Sequence, residues 1–223
     1  MEGMRPRWLP VVEGVAVTVF SFLMISLVVR FADALRGLKQ PWILLLAIPM
    51  GYLAADFASG LAHWLCDNFF EENSPLIGRM LIHPFREHHR DPFQITRHGF
   101  LELTGNSCLA LNPPLAAVWW AEGPAAGDLL SLFGYATLLS WSLALAATNQ
   151  FHRWAHDASV ARPVAWMQKC RLILSPSHHA AHHQPPHSRA YCITSGWMNF
   201  LTDRLELFRW GETRRRRKVA AAD

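Results

Sequence analysis

Histidine side chains are concentrated in one part of this 223-residue chain. The sequence contains 12 histidines, and all of them lie between His63 and His187. Neutral imidazole is the commonest metal ligand in proteins, and two histidines one helical turn apart can bind the same ion. The distribution therefore predicts metal chemistry in the middle and C-terminal parts of the chain.

The spacing of these histidines indicates more than one metal ion. His152 and His156 are one helical turn apart, and so are His63 and Asp67. Zinc completes its shell with four ligands, whereas the histidine groups together offer about eight nitrogens or more. Two ions are therefore predicted, and imidazole-rich sites suit iron. The other dense groups are the pair His88-His89, the run His178-His179-Ala180-Ala181-His182-His183, and the nearby His98 and His187.

Some of these histidines have simpler explanations. An isolated His83 or His98 is more often a hydrogen-bonded residue than a ligand, and a histidine run can also bind metal loosely in a disordered tail. The apolar stretch at 191–207 argues against a tail.

Ligating imidazoles usually donate their second N–H to a carboxylate or a carbonyl. The carboxylates near the histidines in sequence are Asp67, Glu87, Asp91, Glu102 and Asp157.

The segments that must position these side chains are apolar. Apolar residues make up 51% of the chain and charged residues 17%, against about 25% charged in soluble proteins, which excludes a disordered chain. We expect an all-α integral membrane protein with about four transmembrane helices and a cytoplasmic histidine-rich helical cap. The first segment is interpreted as a retained span because it is long for a signal peptide. The third either spans or is re-entrant, since Pro113 and Pro114 interrupt it. The predicted spans are about 11–32, 41–63, 103–121 and 129–151.

Charge and cysteine content favour a cytoplasmic position for the histidines. The net charge of +4 depends on the five basic residues at 214–218, so it indicates a basic tail (212–223) and not a nucleic-acid-binding surface. Basic residues favour the cytoplasmic side, although those at 30–39 oppose this orientation. An even number of spans would place both termini and the histidine lobes, 63–102 and 152–199, on that side. The 4 cysteines form no CxxC pair and are expected to be reduced thiols. The chain is predicted to form a single domain, 1–223.

Four segments together resemble a known family of histidine-rich membrane lipid desaturases. They are residues 56–69, 84–98, 148–156 and 174–199, and they cover much of the region that contains the histidines. The family includes plasmanylethanolamine desaturase and its bacterial CarF relatives. The resemblance implies conversion of the 1-O-alkyl chain of an ether phospholipid to the vinyl ether of plasmalogen.

The resemblance also implies a di-iron centre, O₂ as co-substrate and an external electron donor that is cytochrome b5-like or ferredoxin-like. Asp67, His98, His178 and His187 occupy matching positions as ligands or supporting residues, whereas His83 does not and is excluded. Acyl desaturation of another phospholipid such as phosphatidylglycerol, lipid hydroxylation, and a metal- or lipid-binding membrane sensor remain as alternatives. The implied metal ligands are His63, His88, His89, His152, His156, His179, His182 and His183.

Overall fold

A computed structural model of the chain describes residues 6–36, 38–75, 78 and 82–220, without the side chains of residues 43 and 214–220. Within these residues the regular elements are all helical, which confirms the predicted all-α class. The side chains of the basic run at 214–218 lie outside the described residues. The α-helices are α1 (Leu9–Ala34), α2 (Ala47–Asn68), α3 (His83–Arg90), α4 (Phe100–Trp120), α5 (Leu129–His156), α6 (Arg162–Lys169), α7 (Pro176–His179), α8 (Asn199–Arg204) and α9 (Leu207–Ala220).

Three helices in the described part of the chain are long and apolar enough to cross a membrane. They are Leu9–Ala34, Leu44–Asn68 and Leu129–His156, and they correspond to the first, second and fourth predicted spans. The third predicted span is α4, which continues through Pro113 and Pro114 without a break and is not a re-entrant pair. It is not among the three helices that meet the length and apolarity required of a span. The protein is thus an all-α membrane protein.

The chain divides into two compact units, Met1–Ala55 with His98–Gln150 and Asp56–Arg97 with Phe151–Asp223. Two of the three boundaries fall inside α2 and α5, and the third lies just before α4. The predicted single domain stays a prediction. In the first unit, α1 packs along α4: Asn112 Nδ2 donates to the carbonyl of Ala16 at 3.0 Å, and Arg30 donates to the carbonyl of Trp119 at 2.6 Å. The buried apolar core of this unit comprises Ala16, Phe20, Leu23, Leu27, Cys108, Leu111, Leu115, Tyr135 and Ala146.

The second unit is organised around a buried carboxylate on α2. Asp56 is fully buried, and its Oδ1 accepts backbone N–H groups from Thr194, Ser195 and Gly196 at 3.0, 2.8 and 2.9 Å. Its Oδ2 accepts the N–H of Met198 at 2.9 Å. Since charged hydrogen bonds are stronger than neutral ones, Asp56 fixes the backbone of 194–198 against α2.

Candidate metal centre

Five histidines of the second unit form one group, here called the five-histidine cluster: His88, His152, His156, His179 and His183. One ring nitrogen of each lies within 4.8 Å of all the others. The Nε2 of His152 is 3.0 Å from that of His88 and 2.8 Å from that of His179. The Nε2 of His183 is 3.0 Å from that of His179. Several ring nitrogens thus converge on a common point, as ligands of one ion do.

A second group, here called the carboxylate cluster, contains His63, Asp67, His89 and His182. Asp67 Oδ2 is 3.0 Å from His89 Nε2, 3.4 Å from His63 Nε2 and 3.8 Å from His182 Nε2. Three imidazoles and one carboxylate make a donor set that binds zinc or iron. The two groups therefore offer two metal sites within one unit.

Two of the three histidine pairs that are adjacent in sequence are divided between the two clusters. His88 and His183 belong to the five-histidine cluster, whereas their neighbours His89 and His182 belong to the carboxylate cluster. Successive residues of a helix point about 100° apart, so the α3 pair naturally serves two centres. His152 and His156, one turn apart on the last turns of α5, instead share a cluster.

The carboxylate cluster brings three acceptors together, which is the arrangement that a cation stabilises. His63 Nδ1–H donates to the carbonyl of Tyr191 at 3.2 Å, and His182 Nδ1–H donates to that of Arg189 at 2.8 Å. A carbonyl only accepts, so in neutral rings both Nε2 atoms carry lone pairs toward Asp67. Two lone pairs and a carboxylate repel one another unless a positive ion lies between them. The chemistry of this donor set therefore fits a metal ion.

The five-histidine cluster shows the same fit through buried nitrogen atoms. His156 Nε2 is buried without a hydrogen-bond partner. The Nε2 atoms of the other four rings face one another at 2.8 to 3.0 Å, where lone pairs on more than one of them repel. Buried polar atoms without partners are rare in folded proteins. Each neutral imidazole has one lone-pair nitrogen, and coordination of an ion at the point of convergence would satisfy it.

Burial also keeps these imidazoles in the protonation state that binds metal. Removal from water, reinforced by neighbouring histidines, lowers the pKa of His88 to about 2 and that of His183 to about 3. Burial likewise lowers the pKa of His182 to about 3, and that of His179 well below its ordinary value. These rings are neutral at pH 7, and neutral imidazole is the form that coordinates metal ions.

A family model for the lipid desaturase domain matches residues 52–216, which include every member of both clusters. The chain belongs to the lipid desaturase domain family. Desaturation is an oxidation, so membership assigns the chain to the oxidoreductases that act on membrane lipids. With its three apolar helices, this lipid desaturase is an integral membrane protein.

Curated relatives of this lipid desaturase carry desaturase names. Plasmanylethanolamine desaturase of Myxococcus xanthus is 42% identical over 201 residues, which are 89% of this chain and 68% of that protein. Plasmanylethanolamine desaturase 1 of Mus musculus is 36% identical over 161 residues, 71% of this chain and 59% of that protein. Fatty acid desaturase 4, chloroplastic, of Arabidopsis thaliana is 32% identical, over 71% of this chain and 47% of that protein. The chain thus spans about half to two thirds of these relatives' lengths. No solved structure matches it.

The structure brings together all eight histidines that the sequence analysis proposed as ligands of the lipid desaturase, together with Asp67. Their role as ligands stays a prediction. Of the other three candidates, His187 is near the carboxylate cluster, with its Nδ1–H 3.0 Å from the carbonyl of His182. His178 lies outside both clusters and accepts from Asn199 Nδ2 at 3.3 Å. His98 lies outside them as well, with its Nδ1 2.7 Å from Glu102 Oε1.

His83, which the sequence analysis excluded, is not a member of either cluster. It contacts two carboxylates, with Nδ1 2.8 Å from Glu72 Oε2 and Nε2 3.1 Å from Glu87 Oε2. Glu87 and Glu102, which the sequence analysis considered as supports of ligating histidines, therefore pair with histidines outside the clusters.

Sequence reasoning missed the backbone groups that orient two of the predicted ligands. His63 and His182 are held by the backbone carbonyls of Tyr191 and Arg189. Every residue type has a backbone carbonyl, so the sequence does not reveal these contacts. Sequence reasoning also missed Asp56, which fixes the segment 194–198, close in sequence to Tyr191. One signal was available, because Asp56 is a carboxylate within an otherwise apolar predicted span.

Proposed function

We propose that this lipid desaturase converts the 1-O-alkyl chain of plasmanylethanolamine to the vinyl ether of plasmalogen, with O₂ as co-substrate. The observation that carries the proposal is its 42% identity to plasmanylethanolamine desaturase of M. xanthus over 89% of this chain. The paired histidine clusters support it, since removal of hydrogen from an unactivated C–H bond requires a strong oxidant. Two iron ions are the proposed source of that oxidant.

The proposed iron sites are the five-histidine cluster and the carboxylate cluster. Iron bound there would supply the redox chemistry with O₂ that removes two hydrogens from adjacent carbons of the lipid chain. The protein holds the imidazoles of His63 and His182 in one tautomer through backbone carbonyls, so their Nε2 lone pairs stay directed into the site. Asp67 would add negative charge that offsets part of the charge of a bound metal ion.

The burial of the proposed ligands also limits access of water to the sites. His63, His152, His179 and His182 are at most 3% exposed. A water-poor site strengthens electrostatic interactions and protects a reactive oxidant from side reactions. The buried positions of these rings thus favour oxidation of a lipid chain over loss of the oxidant to solvent.

The electrons for the reaction are proposed to come from an external carrier, cytochrome b5-like or ferredoxin-like. This sequence contains no GxGxxG segment, no CxxC cluster and no haem-attachment motif. Both termini and the histidine lobes are proposed to be cytoplasmic, where such a carrier would reach them. This arrangement requires an even number of spans, and therefore requires α4 to cross the membrane as well. The basic run at 214–218 supports this orientation.

Acyl-chain desaturation is the second candidate. The fatty acid desaturase names of the A. thaliana relatives favour it, at 32% identity for the first of them. Hydroxylation uses the same ligand types and differs only in the fate of the oxidised carbon. A membrane sensor that binds metal or lipid without turnover is the non-enzymatic alternative.

Expression in cells that contain 1-O-alkyl phospholipids but lack this activity separates these candidates. The proposal predicts that mass spectrometry of the lipids finds vinyl ethers two hydrogens lighter than their precursors, with no such product from cells that carry the empty vector. A new double bond in an ester-linked chain would favour acyl desaturation, and an added oxygen would favour hydroxylation. Unchanged lipids, with the protein present in the membrane, would support the sensor.

A further inference from the structure

A cavity of about 570 Å³ opens in the second unit beside the histidine run. Its lining includes two guanidinium groups, from Arg189 and Arg209, and two carboxylates, from Asp203 and Glu206. These four charges sum to zero at pH 7. The wall therefore offers separate positive and negative groups to a ligand without carrying a net charge of its own.

The charged groups of this cavity have capacity left for a ligand. Arg209 Nη1 is 2.7 Å from Glu206 Oε1, but both side chains are more than half exposed, with relative accessibilities of 59% and 63%. An exposed ion pair of this kind contributes little to stability, so a ligand with both charges can exchange partners with it. Arg189 donates from Nη2 to Gln184 Oε1 at 2.7 Å and carries further N–H donors.

Of the acidic groups in the cavity, Asp203 is the one that hydrogen bonds to the backbone hold in position. Its two carboxylate oxygens accept the backbone N–H of Ala190 at 3.1 and 3.2 Å. A carboxylate has about four lone-pair positions, so these contacts leave acceptor capacity on both oxygens. Asp203 is thus a half-buried, oriented acceptor for a positively charged group.

The cavity and the candidate metal centre share one segment of chain. Gln184 follows His183 directly, and the carbonyl of Arg189 accepts the Nδ1–H of His182 at 2.8 Å. In a 1-O-alkyl glycerophospholipid, C1′ of the alkyl chain is only about six bonds of about 1.5 Å each from phosphorus. A lipid oxidised at C1′ and C2′ therefore needs its headgroup bound close to the metal ligands.

We propose that this cavity binds the phosphoethanolamine headgroup of the lipid substrate. Arg189 and Arg209 would contact the phosphate, and Asp203 and Glu206 the ammonium group. The inference rests on the proposed function as a lipid desaturase. A phosphatidylglycerol headgroup has the phosphate without the ammonium, so it would leave the carboxylates of the cavity unpaired. The cavity thus selects ethanolamine lipids and also positions the carbons next to the ether oxygen.

Binding of short-chain phosphatidylethanolamine and phosphatidylglycerol to the purified full-length protein in detergent tests this assignment. Wild type is expected to bind the ethanolamine lipid roughly tenfold more tightly, since a charge-assisted hydrogen bond is worth that much. Arg209→Gln should weaken both lipids by roughly tenfold, because both contain phosphate. Glu206→Gln should weaken the ethanolamine lipid alone. Glycerophosphoethanolamine, which lacks the chains, should compete with the lipid.

Arg204→Gln is the matched control, because Arg204 is exposed on α8 and is not among the residues that line the cavity. It should leave both affinities unchanged, and Arg209→Lys should keep most of the phosphate affinity if the fold is intact. Equal affinity of the wild type for the two lipids would overturn the headgroup assignment. The assignment would also be overturned if Arg209→Gln and Glu206→Gln bound both lipids with the same affinities as Arg204→Gln. Because binding needs no turnover, this result is independent of whether vinyl ethers form, and the two proposals fail separately.

Discussion

Replacement of His179 with alanine is expected to abolish formation of the desaturated lipid. His179 is 1% exposed, and its Nε2 lies 2.8 Å from that of His152 and 3.0 Å from that of His183. It therefore lies at the centre of the five-histidine cluster. Loss of a supporting residue around a metal site typically lowers activity 10- to 100-fold, so we expect loss of this ring to lower it by more than about 100-fold. Lipid mass spectrometry of cells that express equal amounts of each variant measures the effect.

His83→Ala is the matched control for that experiment. His83 lies on α3 with His88 and His89, but it pairs with Glu72 and Glu87 and its side chain is 46% exposed. It should retain activity near that of wild type. Full activity of His179→Ala, or an equal loss in both variants, would contradict the assignment of the five-histidine cluster to catalysis.

Replacement of Asp56 with alanine is expected to cause a large loss of stability. The substitution leaves the backbone N–H groups of Thr194, Ser195, Gly196 and Met198 without their acceptor. Each buried N–H left without a partner costs about 1–3 kcal/mol, so the free energy of unfolding should fall by at least about 3 kcal/mol. Thermal unfolding of the purified protein in detergent should show a markedly lower midpoint.

Two further variants make the Asp56 experiment specific. Asp56→Asn keeps one oxygen acceptor and should lose less stability than Asp56→Ala. Asp33→Ala removes a carboxylate whose side chain is 65% exposed and which pairs with Arg36, and it should change the midpoint little. A midpoint for Asp56→Ala equal to that of Asp33→Ala would show that the four backbone contacts do not stabilise segment 194–198.

The grouping of the histidines could be predicted in part from the sequence, because it depends on short-range spacing. One-turn pairs such as His152 and His156 share a helix face, so the sequence already indicated that they act together. The apolar helices were readable for a similar reason, because length and composition alone identify a span.

Tertiary packing decided what the sequence left open. The spacing of His88 and His89 does not show that they belong to different clusters, since that depends on where α3 lies relative to the other histidines. His98 and His178 matched motif positions as well as His187 did, yet they pair with Glu102 and Asn199 outside the clusters. The proposed headgroup cavity joins residues 184–189 to residues 202–209, and no local pattern marks that approach.

The metal content of the purified protein tests the central claim most directly. Two adjacent donor sets, one with five histidines and one with three histidines and Asp67, lead us to expect two bound ions per chain. Mass spectrometry of the metals in protein purified from iron-replete cells should find two iron atoms per chain. A single zinc ion per chain, with no iron, would contradict the account.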